Sequence, residues 1–120
     1  MATQLRSFGN FGENLAAKFL ASKGFKVKAR NFNTRFGEVD IVAQKGEIVS
    51  FVEVKTRAKT YFPISQVVTR AKQERIVKAA KCYIRDKKII NKVLRFDVIT
   101  VVKSEKDYKV EHIQNAFWGK

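Results

Sequence analysis

Residues 38–57, "EVDIVAQKGEIVSFVEVKTR", hold two apolar runs rich in Val and Ile on either side of Lys45-Gly46. Short β-branched runs joined through a turn dipeptide predict the two strands of a hairpin. That prediction constrains the rest of the chain, because alternate side chains of a strand share a face and the pairing decides which faces meet. Glu38 and Asp40 fall together on the first strand, Glu53 and Lys55 on the second. A two-residue turn at Lys45-Gly46 sets Gln44 against Glu47 and Glu38 against Glu53, with Asp40 diagonal to Glu53. A four-residue turn sets Asp40 opposite Glu53 instead. Either even-length turn gathers Glu38, Asp40, Glu53 and Lys55 on one face, whereas an odd length separates them.

The other segments supply a sheet and its cover. Residues 10–24, "NFGENLAAKFLASKG", predict an amphipathic helix. Asn10 is its expected cap, Glu13 the capping-box partner, and Gly24 the stop, with Leu15, Phe19 and Leu20 as the apolar stripe. "FKVKAR" (25–30) alternates as a half-buried strand does, and "NFNTRFG" (31–37) reads as a loop. "TYFP" (60–63) breaks the pattern. A long amphipathic helix is expected from about Ser65 to Ile84. Val67, Val68, Ala71, Ile76, Ala80 and Tyr83 mark its apolar side, and Arg70, Lys72, Arg75, Lys78 and Lys81 its basic exterior. "VLRFDVITVV" and "YKVEHIQNAF" close the chain as two further strands. The expected order is α-β-β-β-α-β-β, an α/β fold with a central mixed five-stranded sheet flanked by helices.

A chain of 120 residues with 45% apolar composition can bury a core as one domain, residues 1–120. Its single cysteine, Cys82, excludes an internal disulfide framework and fits a reducing, cytoplasmic setting. No run approaches the roughly 18 apolar residues of a membrane span, so no membrane partner is expected. The net charge of +14 is spread over both halves of the chain. Such a basic globular body points to nucleic acid, since each neutralised phosphate releases counterions.

Against that excess, carboxylates clustered beside the "IV" and "FV" runs stand out. Like charges across a strand pair destabilise it, and each raises its neighbour's pKa. A divalent cation removes the penalty: Mg²⁺ takes one or two carboxylates and completes its shell with water and substrate phosphate. Such an ion polarises a phosphodiester and steadies the leaving oxygen. Lys55 beside it could hold the attacking water or stabilise the developing phosphoryl charge. The plainer alternative is a solvent-facing sheet surface on which the acids pair with nearby lysines.

Asp40, followed at a distance by Glu53-Val54-Lys55, resembles the PD-(D/E)xK nuclease superfamily. "FGENLAAKFLASKGFKVKARNFNTRFGEVDIVAQ", "FVEVKTR", "KQERIVKAAKCYI" and "RFDVITV" together resemble the YraN-like family of predicted endonucleases, over roughly residues 8–102. The resemblance implies a restriction-endonuclease-like fold and kinship with Holliday-junction resolvases. It implies hydrolysis of phosphodiester bonds in DNA, branched or structured DNA included, with Mg²⁺ or Mn²⁺ as cofactor. By position, Asp40 and Glu53 would be metal ligands aided by the carbonyl of Val54, and Lys55 the catalytic lysine. Glu13 matches a helix acid that reaches the metal directly or through water. Glu38, from the "GE-x-D" motif, would stand behind the ion or bind a second one. Arg30 and Asn31 match the family's "RN" and would contact phosphate. Val39 stands where the superfamily pattern has Pro. Resolvase relatives act as dimers, which leaves a homodimer open for this chain, although no surface strip in the sequence marks an interface.

Other residues carry two readings each. Arg57, Lys72 and Gln73 are candidates for the nucleic-acid backbone, the last two from the long helix, against a merely solvated helix face. Asn31 could simply open the loop. Asp97 is expected to be structural, paired with Arg95 or a loop; His112 receives no role, and Cys82 is expected to be packed and inert. Phe32, Phe36 and Phe62 lie in expected loops, where rings either stack on unpaired bases or pack the loop bases. Two rival functions remain alongside the nuclease: a non-catalytic nucleic-acid-binding module on the same scaffold, and an adaptor whose basic surface meets an acidic protein.

Overall fold

The computed structural model describes residues 2–58 and 68–117, with side chains from 10 to 57 and from 68 to 117. The elements are α1 (Ala2–Ser22), β1 (Lys26–Asn33), β2 (Glu38–Lys45), β3 (Ile48–Ala58), α2 (Arg70–Lys87), β4 (Val93–Lys103) and β5 (Tyr108–Phe117). The five strands form one sheet in the order β1-β2-β3-β4-β5. All neighbours are antiparallel except β3 and β4, which run parallel from Ile48↔Val93 to Ala58↔Lys103. Parallel neighbours require a crossover connection, and α2 lies on it. The result is the α/β architecture expected, in the expected order.

Both helices differ from expectation at their starts. α1 begins at Ala2, so Asn10 lies inside the helix and no capping box forms there. Its end is as expected: Gly24 takes φ 93° and the Phe25 amide donates to the Leu20 carbonyl at 2.9 Å. α2 begins at Arg70 rather than Ser65, because Thr69 caps it by accepting from the Lys72 amide. Phe62, Val67 and the "TYFP" stretch lie outside the described residues. Ile76, Val77, Ala79, Ala80 and Tyr83 form the buried side of α2, whereas Ala71 is exposed. Five residues before Ile76, Ala71 is turned about 140° away from it around the helix.

β1 runs on through Phe32 and Asn33, which pair with Val39 and Glu38 and shorten the loop to residues 34–37. The gain is packing, since the Phe32 ring meets Tyr83 edge-on at 5.2 Å. In the next hairpin the loop is Gly46–Glu47, one residue later than Lys45-Gly46, with Lys45 paired to Ile48. Gly46 takes φ 58°, a conformation open to glycine. This register is the one that sets Asp40 across from Glu53.

One core layer lies between the sheet and α2, built on Val42, Val49, Phe51, Ile76, Tyr83 and Phe96. The other lies against α1 and holds Leu20, Ile41, Ala43, Val52 and Ile99. Val39 belongs to the first layer and Ile41 to the second, although they are two apart. The alternation of β2 is therefore broken at Asp40. The β2–β3 ladder stops at the same place, its last pair being Ile41↔Val52.

Away from this break, Asp97 on β4 is fully buried and structural, as expected. Arg95 donates to it at 2.9, 3.0 and 3.2 Å, and the Asn115 amide donates at 2.9 Å. His112, to which the sequence assigns no role, lies 2.8 Å from the same carboxylate through Nε2. Burial pushes the Asp97 carboxyl up, but the bonds from His112, Arg95 and Asn115 outweigh it and hold the pKa at about 2. Among the described residues no helix is long and apolar enough to cross a membrane.

Candidate active site

Where the β2–β3 ladder ends, the Asp40 carboxylate replaces a backbone acceptor. Val54 donates its amide to Asp40 Oδ2 at 2.8 Å, holding the side chain between the two strands. On β3, Val49 and Phe51 face α2, so Glu53 and Lys55 continue that face by alternation. Glu53 is only 6% exposed and lies against Asp40. A cavity of about 800 Å³ opens over this point. Glu13 from α1, Glu38 and Asp40 from β2, Glu53 and Lys55 from β3, and Lys72 and Arg75 from α2 line it. Residues 33–37 complete the rim.

The electrostatics of the pair are unfavourable for two anions. Burial, and then the neighbouring Glu53 charge, push the Asp40 carboxyl up to about 8, although the Val54 amide pulls the other way. Glu13 adds a smaller repulsion. The raised pKa favours a proton held between the Asp40 and Glu53 carboxyls. Lys72 compensates the remaining charge, its Nζ lying 2.7 Å from Glu53 Oε2. Lys55 is half-buried in the cavity wall and has no ion-pair partner among the described residues.

The sequence candidates thus separate into groups. Asp40, Glu53, Lys55 and Glu13 share one cavity, and Glu38 lines it from an exposed position. Val54 enters the site through its amide as the donor to Asp40. Among the described residues no three His, Cys, Asp or Glu side chains are grouped to hold a metal; the intimate contact is the Asp40–Glu53 pair. Arg30 is engaged with Glu13 at 3.3 Å, so its charge is directed at an acid. Asn31 stays within β1 at φ 52° and does not open a loop. Lys72 turns inward onto Glu53, away from the outer helix face. Gln73 braces the start of α2 by donating to the Val68 carbonyl at 3.0 Å. Arg57 is half-buried near the end of β3, beside Val102.

Arg35 and Arg75 are additions that sequence patterns do not single out. Arg35 carries the only sequence signal, a cation placed in a loop immediately before an acidic strand. Arg75 reaches the site through tertiary packing, its backbone resting on Gly37 so closely that an added Cβ there would overlap its carbonyl. Gly12 plays the matching part on the other side of the sheet, where a Cβ would collide with Thr56. That close approach brings the neighbouring Glu13 to the cavity.

The donor set suits a hard divalent cation. A half-buried and a buried carboxylate that repel when both ionised, with open space beside them, match an ion that takes one or two protein oxygens and fills its shell with water and phosphate. The fold and site define an α/β domain with a mixed five-stranded sheet and a carboxylate-lysine cavity at the break between its second and third strands. The chain belongs to Uncharacterised protein family UPF0102, whose model matches residues 12–101. A UPF0102 protein from Clostridium perfringens is 45% identical over 116 residues, covering 93% of this chain and 94% of that one. One from Myxococcus xanthus is 43% identical over 113 residues, covering 93% and 90%. One from Dictyoglomus turgidum is 41% identical over 115 residues, covering 93% and 98%.

Proposed function

We propose that this chain is a metal-dependent nuclease that hydrolyses phosphodiester bonds in DNA, on a restriction-endonuclease-like scaffold. The observation that carries the reading is the contact of half-buried Asp40 with buried Glu53 in a cavity that also holds Lys55, within a chain of net charge +14. Asp40 and Glu53 would hold Mg²⁺ or Mn²⁺, with Glu13 and Glu38, which line the same cavity, serving through water. When bound, the ion supplies Lewis acidity and neutralises charge on the phosphate. Lys55 orients the attacking water or stabilises charge on the phosphoryl oxygens. The water oxygen would form the new P–O bond and give up a proton to solvent, while the opposite P–O bond breaks and the leaving oxygen takes up a proton from solvent. Arg35 and Arg75 on the rim hold the flanking phosphates, sequence-independent contacts that position the backbone.

The test is a panel of linear, single-stranded, flap and four-way-junction DNAs with Mg²⁺ or Mn²⁺. Wild type is expected to cut at least one of them. Asp40→Asn, Glu53→Ala and Lys55→Ala are expected to cut it about a hundredfold more slowly or worse. Equal cutting by these variants, or cutting undiminished by chelator, refutes the proposal.

One observation favours the rival, a nucleic-acid-binding module that does no chemistry. Lys72 already supplies a cation to Glu53. In that reading Mg²⁺ does not bind, and the Lys72→Ala variant loses stability without gaining metal affinity. In the nuclease reading the same variant binds Mg²⁺ more tightly, because a competing cation has gone. Isothermal titration with MgCl₂ separates the two.

A further inference from the structure

The loop between β1 and β2 presents one aromatic ring to solvent at the rim of the cavity. Phe36 is 51% exposed, whereas Phe32 nearby is packed against Tyr83. The exposure does not come from a loose loop. Thr34 Oγ1 accepts from the amides of Phe36 and Gly37 at 3.0 and 3.1 Å. Its amide and hydroxyl donate to the Gly37 carbonyl at 2.8 and 2.9 Å. Gly37 in turn rests on the Arg75 backbone of α2. The turn is braced from within and from behind, and the ring is held outward. The Arg35 guanidinium lies over that ring, 5.5 Å from its centroid. Arg35 and Phe36 line the same cavity as Asp40, Glu53 and Lys55.

A fixed, exposed ring beside a cation is the pair of groups that receives a base and its phosphate, because every base has a π face and every linkage an anion. In an intact duplex each base face is already covered by its neighbours, so the ring gains nothing there. We propose that Phe36, supported by Arg35, is a stacking platform for an unpaired base, and that the preferred DNA has unpaired bases next to the phosphate being cut. This inference rests on the nuclease reading and names the substrate class for that site. Phe36 is a specificity-determining residue here, and it touches no reacting atom.

The experiment compares a flap DNA, carrying 2-aminopurine at the first unpaired position, with a blunt duplex of equal length. Binding is read by anisotropy without divalent cation, and stacking by quenching of the 2-aminopurine. Wild type is expected to bind the flap about tenfold more tightly than the duplex and to quench the probe. Phe36→Ala should lose both the preference and the quenching while its duplex affinity stays unchanged. Phe36→Trp should restore them, and Phe36→Leu should not. The inference is overturned if Phe36→Ala weakens both DNAs equally, if Leu restores as well as Trp, or if wild type shows no preference. With the preference and quenching intact but no Mg²⁺-dependent product from either DNA, the nuclease reading fails and the stacking role stands. No binding to either DNA overturns both.

Discussion

Replacing Asp40 by Asn should make the protein more stable. Asn keeps an oxygen for the Val54 amide, which Asp40 now accepts at 2.8 Å, and offers an NH₂ to Glu53. It removes a group that resists ionisation in this site, where the pKa stands at about 8 against 3.8 for an ordinary Asp. An acid with a raised folded pKa binds more protons in the native than in the unfolded chain between those values. Wild-type stability therefore falls as pH climbs from about 4 to about 8, then levels off. At pH 7 some three units separate the solution from the unfolded pKa, which sets a ceiling of about 4 kcal/mol at ~1.4 kcal/mol per unit. Water in the open cavity and the charge shared with Glu53 bring this down to about 2 kcal/mol, or roughly 8 °C in Tm for a domain of this size. The assay is thermal unfolding of both proteins in chelator from pH 4 to 8.5. The Tm gap should open steadily between pH 4 and 8 and, under the proposed function, narrow when excess Mg²⁺ is added, since only wild type offers the ion both carboxylates. An Asn variant that melts at or below wild type at pH 7.5 refutes the reasoning.

Mg²⁺ binding to wild type should release close to one proton below pH 7.5 and tighten about tenfold per pH unit up to about 8, as titration in buffers of different ionisation enthalpy will report. Asp97→Asn should lower stability by about 2–3 kcal/mol at pH 7, because it removes a charge bonded on several sides in a dry site. The Asp97 pKa of about 2 lies below the ordinary value, so its contribution is full above about pH 5 and disappears as pH falls towards 2; the Asn variant should show a flatter acid limb in chemical denaturation. Gly12→Ala should cost about 1–3 kcal/mol by lifting α1 off Thr56 and, under the proposed function, should slow DNA cleavage further than the fall in Tm explains, through displacement of Glu13.

Much of the frame is legible in residues 38–57 alone. Their Val- and Ile-rich runs name the central hairpin, and an even-length loop is enough to bring Glu53 to Asp40's side. Gly46 marks the turn, but the dipeptide pattern does not say whether it stands first or second in the loop, and that choice decides which acid faces Glu53. The closing strands, too, follow from their β-branched pattern. Helix starts are harder to read: Thr69 and Asn10 are both good cap residue types, yet Thr69 caps α2 while α1 runs through Asn10 from Ala2. Lys72 is indistinguishable from its basic neighbours along the helix, because its partner lies on another element and nothing local points it inward. Phe32 and Phe36 look alike in a loop; the extra strand pairs that pull one ring onto Tyr83 belong to the sheet as a whole.

The crossover between β3 and β4 has a consequence for the order of assembly. β1, β2 and β3 meet through short connections and can collapse as a local meander, but Ile48 must find Val93 across a long intervening chain. Lys72 and Arg75 ride on the helix within that stretch, so the wall they supply is made after β3 in chain order and closes when α2 docks on β2 and on Gly37. A chain released only as far as β3 carries Asp40 and Glu53 on an open ribbon, without the wall that α2 supplies.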